Sequence, residues 1–106
     1  MILITGPLFS GKRRLAEELF GDCGRCAFDV HERAAHCGDL EALADELSSC
    51  DAVTAAEVGG GVVPLDPGER AARERAGRLS CLLAERADTV VRVFCGIPTV
   101  IKGSLP

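Results

Sequence analysis

The sequence predicts a three-layer α/β fold, with a mostly parallel sheet of about five strands, helices on both faces and an antiparallel strand at the C-terminal edge. Two observations carry this prediction. Short apolar runs alternate with stretches of helical periodicity, and two glycine-rich turns follow apolar runs, after Thr5 and after Val58. Such alternation builds parallel sheets with right-handed crossovers, which bind ligands at the carboxyl ends of their strands.

Composition limits the classes of function. The 106 residues suit one domain, taken as residues 1–106, and 47% of them are hydrophobic, which excludes a disordered chain. The net charge of −4 argues against a nucleic-acid partner, because a general nucleic-acid binder presents a basic face. No run approaches the roughly 18 apolar residues of a membrane span, and Met1–Thr5 is too short for a signal peptide. We therefore expect a cytoplasmic protein without a membrane span.

The elements are predicted from apolar spacing, which is helical in some segments and nearly continuous in others. The first half is expected to contain a strand at Ile2–Thr5, a helix at Lys12–Phe20, a strand at Cys26–Val30, a polar connection at His31–Gly38, a helix capped by Asp39 and ended by Ser48-Ser49, and a strand at Asp51–Val58. The second half is expected to contain a helix capped by Asp66 that runs to about Ala87, a strand at Thr89–Phe94, a turn at Gly96–Pro98 and an antiparallel strand at Thr99–Lys102.

The first turn, Gly6–Arg13, has the spacing of a phosphate-binding P-loop, G-x-x-x-x-G-K-[ST], except that Arg13 stands where Ser or Thr is expected. Such loops hold phosphates with backbone N–H groups and the N-terminus of the next helix. We therefore predict a P-loop-type sandwich that binds GTP or ATP through Gly6, Ser10, Gly11, Lys12 and Arg13, with Lys12 also a candidate catalytic residue. Arg13 cannot ligate Mg²⁺ but can contact a phosphate, which argues against a magnesium cofactor. The alternative is a turn that only caps a helix.

The second turn follows a carboxylate at the end of a predicted strand, Glu57. A carboxylate in this position can orient a metal ion or a water molecule. We take Glu57 as a candidate catalytic residue and Gly59 and Gly61 as candidate ligand contacts. The alternative is that Glu57 caps the neighbouring turn.

A third constellation, Cys23-x₂-Cys26-x₄-His31-x₄-His36, has the spacing of a zinc knuckle, with Cys37 beside it. Cys26, however, opens a predicted strand, and the segment lacks the glycine and aromatic pattern of a knuckle. We therefore predict no metal site.

Several motifs occur together in one order: the strand and loop Thr5–Arg14, then EVGGGVVP at Glu57–Pro64, ADTV at Ala87–Val90 and GIPTVIK at Gly96–Lys102. In this order they resemble the adenosylcobinamide kinase / adenosylcobinamide-phosphate guanylyltransferase family. The resemblance implies ATP- or GTP-dependent phosphorylation of adenosylcobinamide and then GMP transfer through a histidine, in cobalamin biosynthesis. It also adds Arg73 to the candidate nucleotide contacts, whereas the other arginines of that helix are expected on a solvated face.

The sequence departs from the family pattern at several positions. Arg13 replaces the loop Ser, and in the motif R-D-x-x-G-x-x-N-Q the Asp is Glu74, the Asn is Ser80 and the Gln is Cys81. The middle section is shortened, and neither His31 nor His36 aligns with the guanylylated histidine. We therefore expect a shortened, degenerate relative that binds a nucleotide or phosphate with weak or no catalysis.

Two alternatives stay open. One is an active cobinamide phosphotransferase or nucleotidyltransferase, with a cobinamide substrate bound across the two glycine turns. The other is a non-enzymatic, oligomeric interaction module, in which a partner or a second copy covers the sheet or the ligand cleft that the shortened middle section exposes.

Overall fold

The computed structural model describes residues 1–21, 24–57 and 66–106. Its strands and helices, in chain order, are β1 (Ile2–Gly6), α1 (Lys12–Phe20), β2 (Cys26–Ala27), α2 (His31–Ala34), α3 (Leu40–Leu47), β3 (Ala52–Ala56), α4 (Pro67–Arg86), β4 (Thr89–Phe94) and β5 (Ile97–Lys102). None of the helices in these ranges is both long enough and apolar enough to cross a membrane.

The strands form one five-stranded sheet in the order β2-β3-β1-β4-β5. The central strand β1 runs parallel to both neighbours, with Gly6 opposite Ala56 on β3 and Thr5 opposite Arg92 on β4. Strand β2 is parallel to β3, and β5 is antiparallel to β4. The predicted mostly parallel sheet with an antiparallel C-terminal edge is therefore confirmed.

The sheet is covered on both faces, which confirms the three layers. On one face, α1 packs through Ala16 against apolar side chains of the three central strands: Ile2, Ile4, Ala52, Val91 and Val93. On the other face, the helices α2, α3 and α4 pack against Leu3, Val53 and Val90, through the buried residues Ala34, Leu40, Leu43, Leu47, Ala76, Leu79 and Leu83. Alternate residues of each strand thus face opposite cores, as the period of a strand requires.

Three predicted boundaries are wrong. Strand β2 is only Cys26–Ala27, because the chain turns at Asp29, whose φ is +54°. The segment predicted as a polar connection contains the short helix α2. The Arg75 guanidinium on α4 donates hydrogen bonds to the carbonyl oxygen of Ala34, at the end of α2, and to that of Cys37 in the following turn. Such a tertiary contact leaves no signal in the local sequence.

The C-terminal hairpin also begins earlier than predicted. Cys95 and Gly96 form a two-residue turn with φ values of +52° and +76°, so Ile97 already pairs with Phe94. Positive φ at both central residues matches the right-handed twist of a hairpin. The predicted Gly96–Pro98 turn is therefore displaced, and Pro98 lies within β5.

Gly6 occupies a position where no side chain fits. Its φ is +153°, and a Cβ placed there would lie 2.2 Å from the carbonyl oxygen of Val93 and 2.9 Å from the Ser10 Oγ. Because the nearest atom belongs to the backbone of the neighbouring strand, it cannot move aside without breaking the pairing of β1 and β4. The close approach of the loop to β4 therefore depends on glycine at this position.

Gly6→Ala is expected to lower the free energy of unfolding by about 1–3 kcal/mol, since it overpacks the end of β1. The matched control is Gly77→Ala, because Gly77 lies on α4 and a Cβ there meets nothing within 4 Å. That control is expected to raise the free energy of unfolding by about 0.5–1 kcal/mol, the helix preference for alanine. Urea denaturation of both variants measures the difference. An equally stable Gly6→Ala variant would contradict this account of the loop.

Candidate functional site

The loop between β1 and α1 curls back over the carboxyl end of the sheet. Gly11 precedes α1 with φ +100°, and it offers no side chain to cap the helix. The amide of Gly96, at the tip of the β4–β5 hairpin, donates to the Ser10 carbonyl oxygen at 2.8 Å. The hairpin thus holds the loop in place, and the uncapped N–H groups of the first turn of α1 are left for another acceptor.

Lys12 is buried although it is charged. Only 6% of the residue is exposed, and its Nζ donates to the carbonyl oxygen of Pro7 at 2.6 Å and to the Ser10 Oγ at 3.5 Å. Burial lowers the pKa of Lys12, while the nearby carboxylates of Asp29 and Glu57 act in the opposite direction. No ion pair joins Lys12 to a carboxylate of the residues that the structure describes. The ammonium is therefore desolvated with only neutral hydrogen-bond acceptors.

Arg13 is directed to the flank of α1. Its guanidinium lies over the Phe28 ring, 4.2 Å from the centroid, and its Nε is 3.4 Å from a carboxylate oxygen of Glu17, one turn along the helix. This arrangement is a cation–π contact with an exposed ion pair. Arg13 also lines the cleft that contains Lys12, and the structure records a hydrogen bond to Glu17 from its Nε.

Glu57 stands at the carboxyl end of β3, where the sequence predicts it. Its backbone N–H donates to the Gly6 carbonyl oxygen at 2.8 Å, which ties it to the start of the loop. Its two carboxylate oxygens accept from the Arg92 guanidinium, at 2.6 Å from Nε and 3.1 Å from Nη2. This bidentate pair lowers the pKa of Glu57, and the charge of Lys12 adds a smaller effect in the same direction. Glu57 is therefore an ionised carboxylate with both oxygens engaged.

Arg92, the partner of Glu57, is one of the residues that sequence reasoning missed. It is the one charged residue of β4, in the run Val90-Val91-Arg92-Val93-Phe94, and a charge inside an apolar strand could have marked it as a candidate site residue. A charged residue inside an apolar strand requires a partner at the sheet surface. The partner could not be identified without the register, because Glu57 is 35 residues away in sequence.

The described residues do not fit a magnesium ion. The hydroxyl ligand of a P-loop is missing at Arg13, and both oxygens of Glu57 are held by a cation. In residues 1–21, 24–57 and 66–106, no three side chains of the His, Cys, Asp and Glu types are grouped as metal ligands. The carboxylates that line the same cleft as Lys12 are those of Asp29 and Glu32.

Two clefts meet at the loop and share Phe9, Ser10, Gly11 and Arg14. One cleft, of about 370 Å³, reaches the carboxyl ends of β2 and β3; its further lining residues are Leu8, Lys12, Arg13, Asp29, His31, Glu32 and Thr54. The other, of about 430 Å³, lies between α1 and the β4–β5 hairpin; its further lining residues are Leu15, Glu18, Val93, Cys95, Gly96 and Pro98. A separate cleft of about 600 Å³ lies between α2 and α3, but its acidic and basic side chains are exposed and Cys37 is only half-buried. The buried ammonium of Lys12 distinguishes the loop.

The other predicted site residues are dispersed. Gly59 and Gly61 lie outside the described residues. Arg73 is on α4, half-buried, and lines neither cleft at the loop within the part of the chain that is described.

Of the zinc-knuckle residues, Cys23 also lies outside the described ranges. His31 uses its Nδ1 to accept the Ala56 backbone N–H at 3.0 Å, and so anchors α2 to the end of β3. This hydrogen bond gives His31 a structural role and leaves only Nε2 for any other contact.

Residues 25–101 match the family model described as cobinamide kinase / cobinamide phosphate guanyltransferase, which is more than two thirds of the chain. The chain belongs to this family. The match confirms the resemblance drawn from the sequence motifs. The match includes Glu57 and Arg92 but begins after the Gly6–Arg13 loop. Evidence for a role of this loop therefore comes from its geometry and not from the match. A search of the curated proteins finds no match.

Proposed function

We propose that this cobinamide kinase/guanyltransferase relative binds the phosphate groups of GTP or ATP at the Gly6–Arg13 loop, with weak or no catalysis of its own. The observation that carries the proposal is the buried ammonium of Lys12, whose described hydrogen-bond acceptors are the neutral oxygens of Pro7 and Ser10. Burying a charge without an ion-pair partner costs free energy, and desolvated charged groups with shifted pKa values cluster at functional sites.

The surroundings of Lys12 favour an anion. The first turn of α1 presents backbone N–H groups that Gly11 does not cap, together with the positive end of the helix dipole. In contrast, the N-termini of α3 and α4 are capped by the Asp39 and Asp66 carboxylates. A phosphate oxygen that replaced the Pro7 carbonyl as the acceptor of the Lys12 Nζ could also accept hydrogen bonds from the uncapped N–H groups of α1.

Weak catalysis follows from the same geometry. Phosphoryl transfer needs a positioned metal or base beside the outer phosphate. Glu57 is paired with Arg92, and Arg13 provides no metal-ligating hydroxyl. The alternative, an active adenosylcobinamide kinase or guanylyltransferase, requires that Glu57 be released from this pair.

Lys12→Ala is expected to weaken GTP and ATP binding at least about tenfold, because a charge-assisted phosphate contact contributes about 1.5–3 kcal/mol. Isothermal titration calorimetry in the absence of divalent cations measures the affinity. The chain offers a matched control in its other lysine, Lys102, which donates to backbone carbonyls of α4. Lys102→Ala should bind as the unaltered chain does.

Equal affinities of the Lys12→Ala and Lys102→Ala variants would refute phosphate binding at the loop. The same preparations, incubated with adenosylcobinamide and GTP or ATP, are expected to form little or no phosphorylated product. Rapid turnover that Glu57→Gln abolishes would instead establish the active alternative.

An exposed edge strand favours a second candidate function, self-association. All residues of β5 are exposed, and large apolar side chains are concentrated on the hairpin: Phe94, Ile97, Val100 and Ile101. Exposed apolar edges are typical of interaction surfaces. Pro98 lacks an N–H group and the pairing is irregular between Val90 and Val91, so the contact would involve side chains more than strand-to-strand hydrogen bonds.

Ile97→Lys combined with Ile101→Lys is expected to convert a dimer into a monomer, because the paired lysines repel across a two-fold interface. Light scattering gives the mass in solution. Leu8→Lys is the control, since Leu8 is similarly exposed at 62% but lies on the loop. A monomeric unaltered chain would exclude this second function.

A further inference from the structure

We propose that Arg92 is a positioning residue that keeps Glu57 out of metal coordination, so that the loop binds a polyphosphate free of magnesium. This inference rests on the proposed function and adds to it the ionic form of the ligand and the residue that selects it.

The strand order creates the pair. Glu57 follows β3 and Arg92 lies on β4, and these strands flank β1 on opposite sides. Both side chains reach across the end of β1, where Thr5 pairs with Arg92 and the Gly6 carbonyl accepts the Glu57 N–H. The Glu57–Arg92 pair therefore lies at the end of β1, where the Gly6–Arg13 loop begins, although neither residue lines the two clefts at the loop.

The pair opposes a cation in two ways. Both carboxylate oxygens of Glu57 already accept a guanidinium hydrogen bond, at 2.6 Å and 3.1 Å. The guanidinium also places a positive charge beside the carboxylate, which would repel Mg²⁺ as it approached. Arg92 has a further contact over the Phe94 ring, 5.4 Å from the centroid, which holds it independently of Glu57.

The free polyphosphate is the better ligand for such a site. Its negative charge is highest without magnesium, and Lys12 and the N-terminus of α1 supply the complementary positive charge. Magnesium on the nucleotide reduces that charge, and neither Arg13, which has no hydroxyl, nor Glu57, whose oxygens accept from Arg92, offers the metal a free ligand in return. Magnesium should therefore leave the affinity for GTP unchanged or reduce it.

The test is a cycle of variants titrated with GTP by calorimetry, once with EDTA and once with excess MgCl₂. In the unaltered chain the two dissociation constants should agree within about twofold, or favour EDTA. In Arg92→Ala, where Glu57 is released, magnesium should tighten GTP binding about fivefold or more, the lower end of typical coupling between sites. The double variant Arg92→Ala with Glu57→Gln should lose this gain.

Two further measurements distinguish a positioning role of Arg92 from a general effect of its substitution on the stability of the fold. Arg92→Lys keeps a cation beside Glu57 and should restore magnesium independence, although it cannot form the bidentate contact. Carboxyl NMR should show the pKa of Glu57 rising in Arg92→Ala, because the hydrogen bonds that lower it are gone. A variant that was merely less stable would show neither the rescue nor the selective response to magnesium.

If magnesium tightens GTP binding to the unaltered chain and Glu57→Gln removes that effect, the inference is overturned but the proposed function is not. An Arg92→Ala variant that responds to magnesium as the unaltered chain does would also overturn it. The absence of Lys12-dependent GTP binding would overturn both the inference and the proposed function.

Discussion

The end of β1 lies in close contact with the backbone of β4, and this contact fixes where the Gly6–Arg13 loop begins. Gly6 permits the contact because it has no Cβ, which would otherwise clash with the Val93 carbonyl oxygen. The loop can then turn tightly enough for the hairpin amide of Gly96 to reach Ser10, and α1 starts with an open N-terminus. Lys12, the first residue of α1, is thereby folded under the loop and loses its solvent. The buried ammonium of Lys12 thus lies beside the uncapped N-terminus of α1.

The charges around this site are organised by the sheet, in two separate groups. Lys12 faces the loop, with Asp29 and Glu57 near enough to affect its pKa but not paired with it. Glu57 and Arg92 neutralise each other across β1. The family match includes the second group and begins after the first. Membership of the cobinamide kinase/guanyltransferase family and phosphate binding at the loop therefore have independent support, the first from the family match and the second from the burial of Lys12.

Local pattern was sufficient for much of the fold. The apolar run Ile2–Thr5, the helical spacing after Lys12 and the Asp66 cap with its proline were all readable without tertiary information, and β1, α1 and α4 occur where they were expected. The short helix α2 was not predictable, because Arg75 on α4 supplies its C-terminal hydrogen bonds. The loop residues were identified from spacing, whereas Arg92, Asp29 and Thr54 were missed. Their proximity to the loop arises from strand register, which periodicity within one segment does not determine.

A crystal structure of the chain with GTP, in the absence of magnesium, would show whether Lys12 binds a phosphate group. We expect a phosphate oxygen within hydrogen-bonding distance of the Lys12 Nζ, in place of the Pro7 carbonyl, and of the first backbone N–H groups of α1. The Glu57–Arg92 pair should remain intact beside it. A nucleotide bound elsewhere, with the Lys12 Nζ still donating to Pro7, would contradict the account.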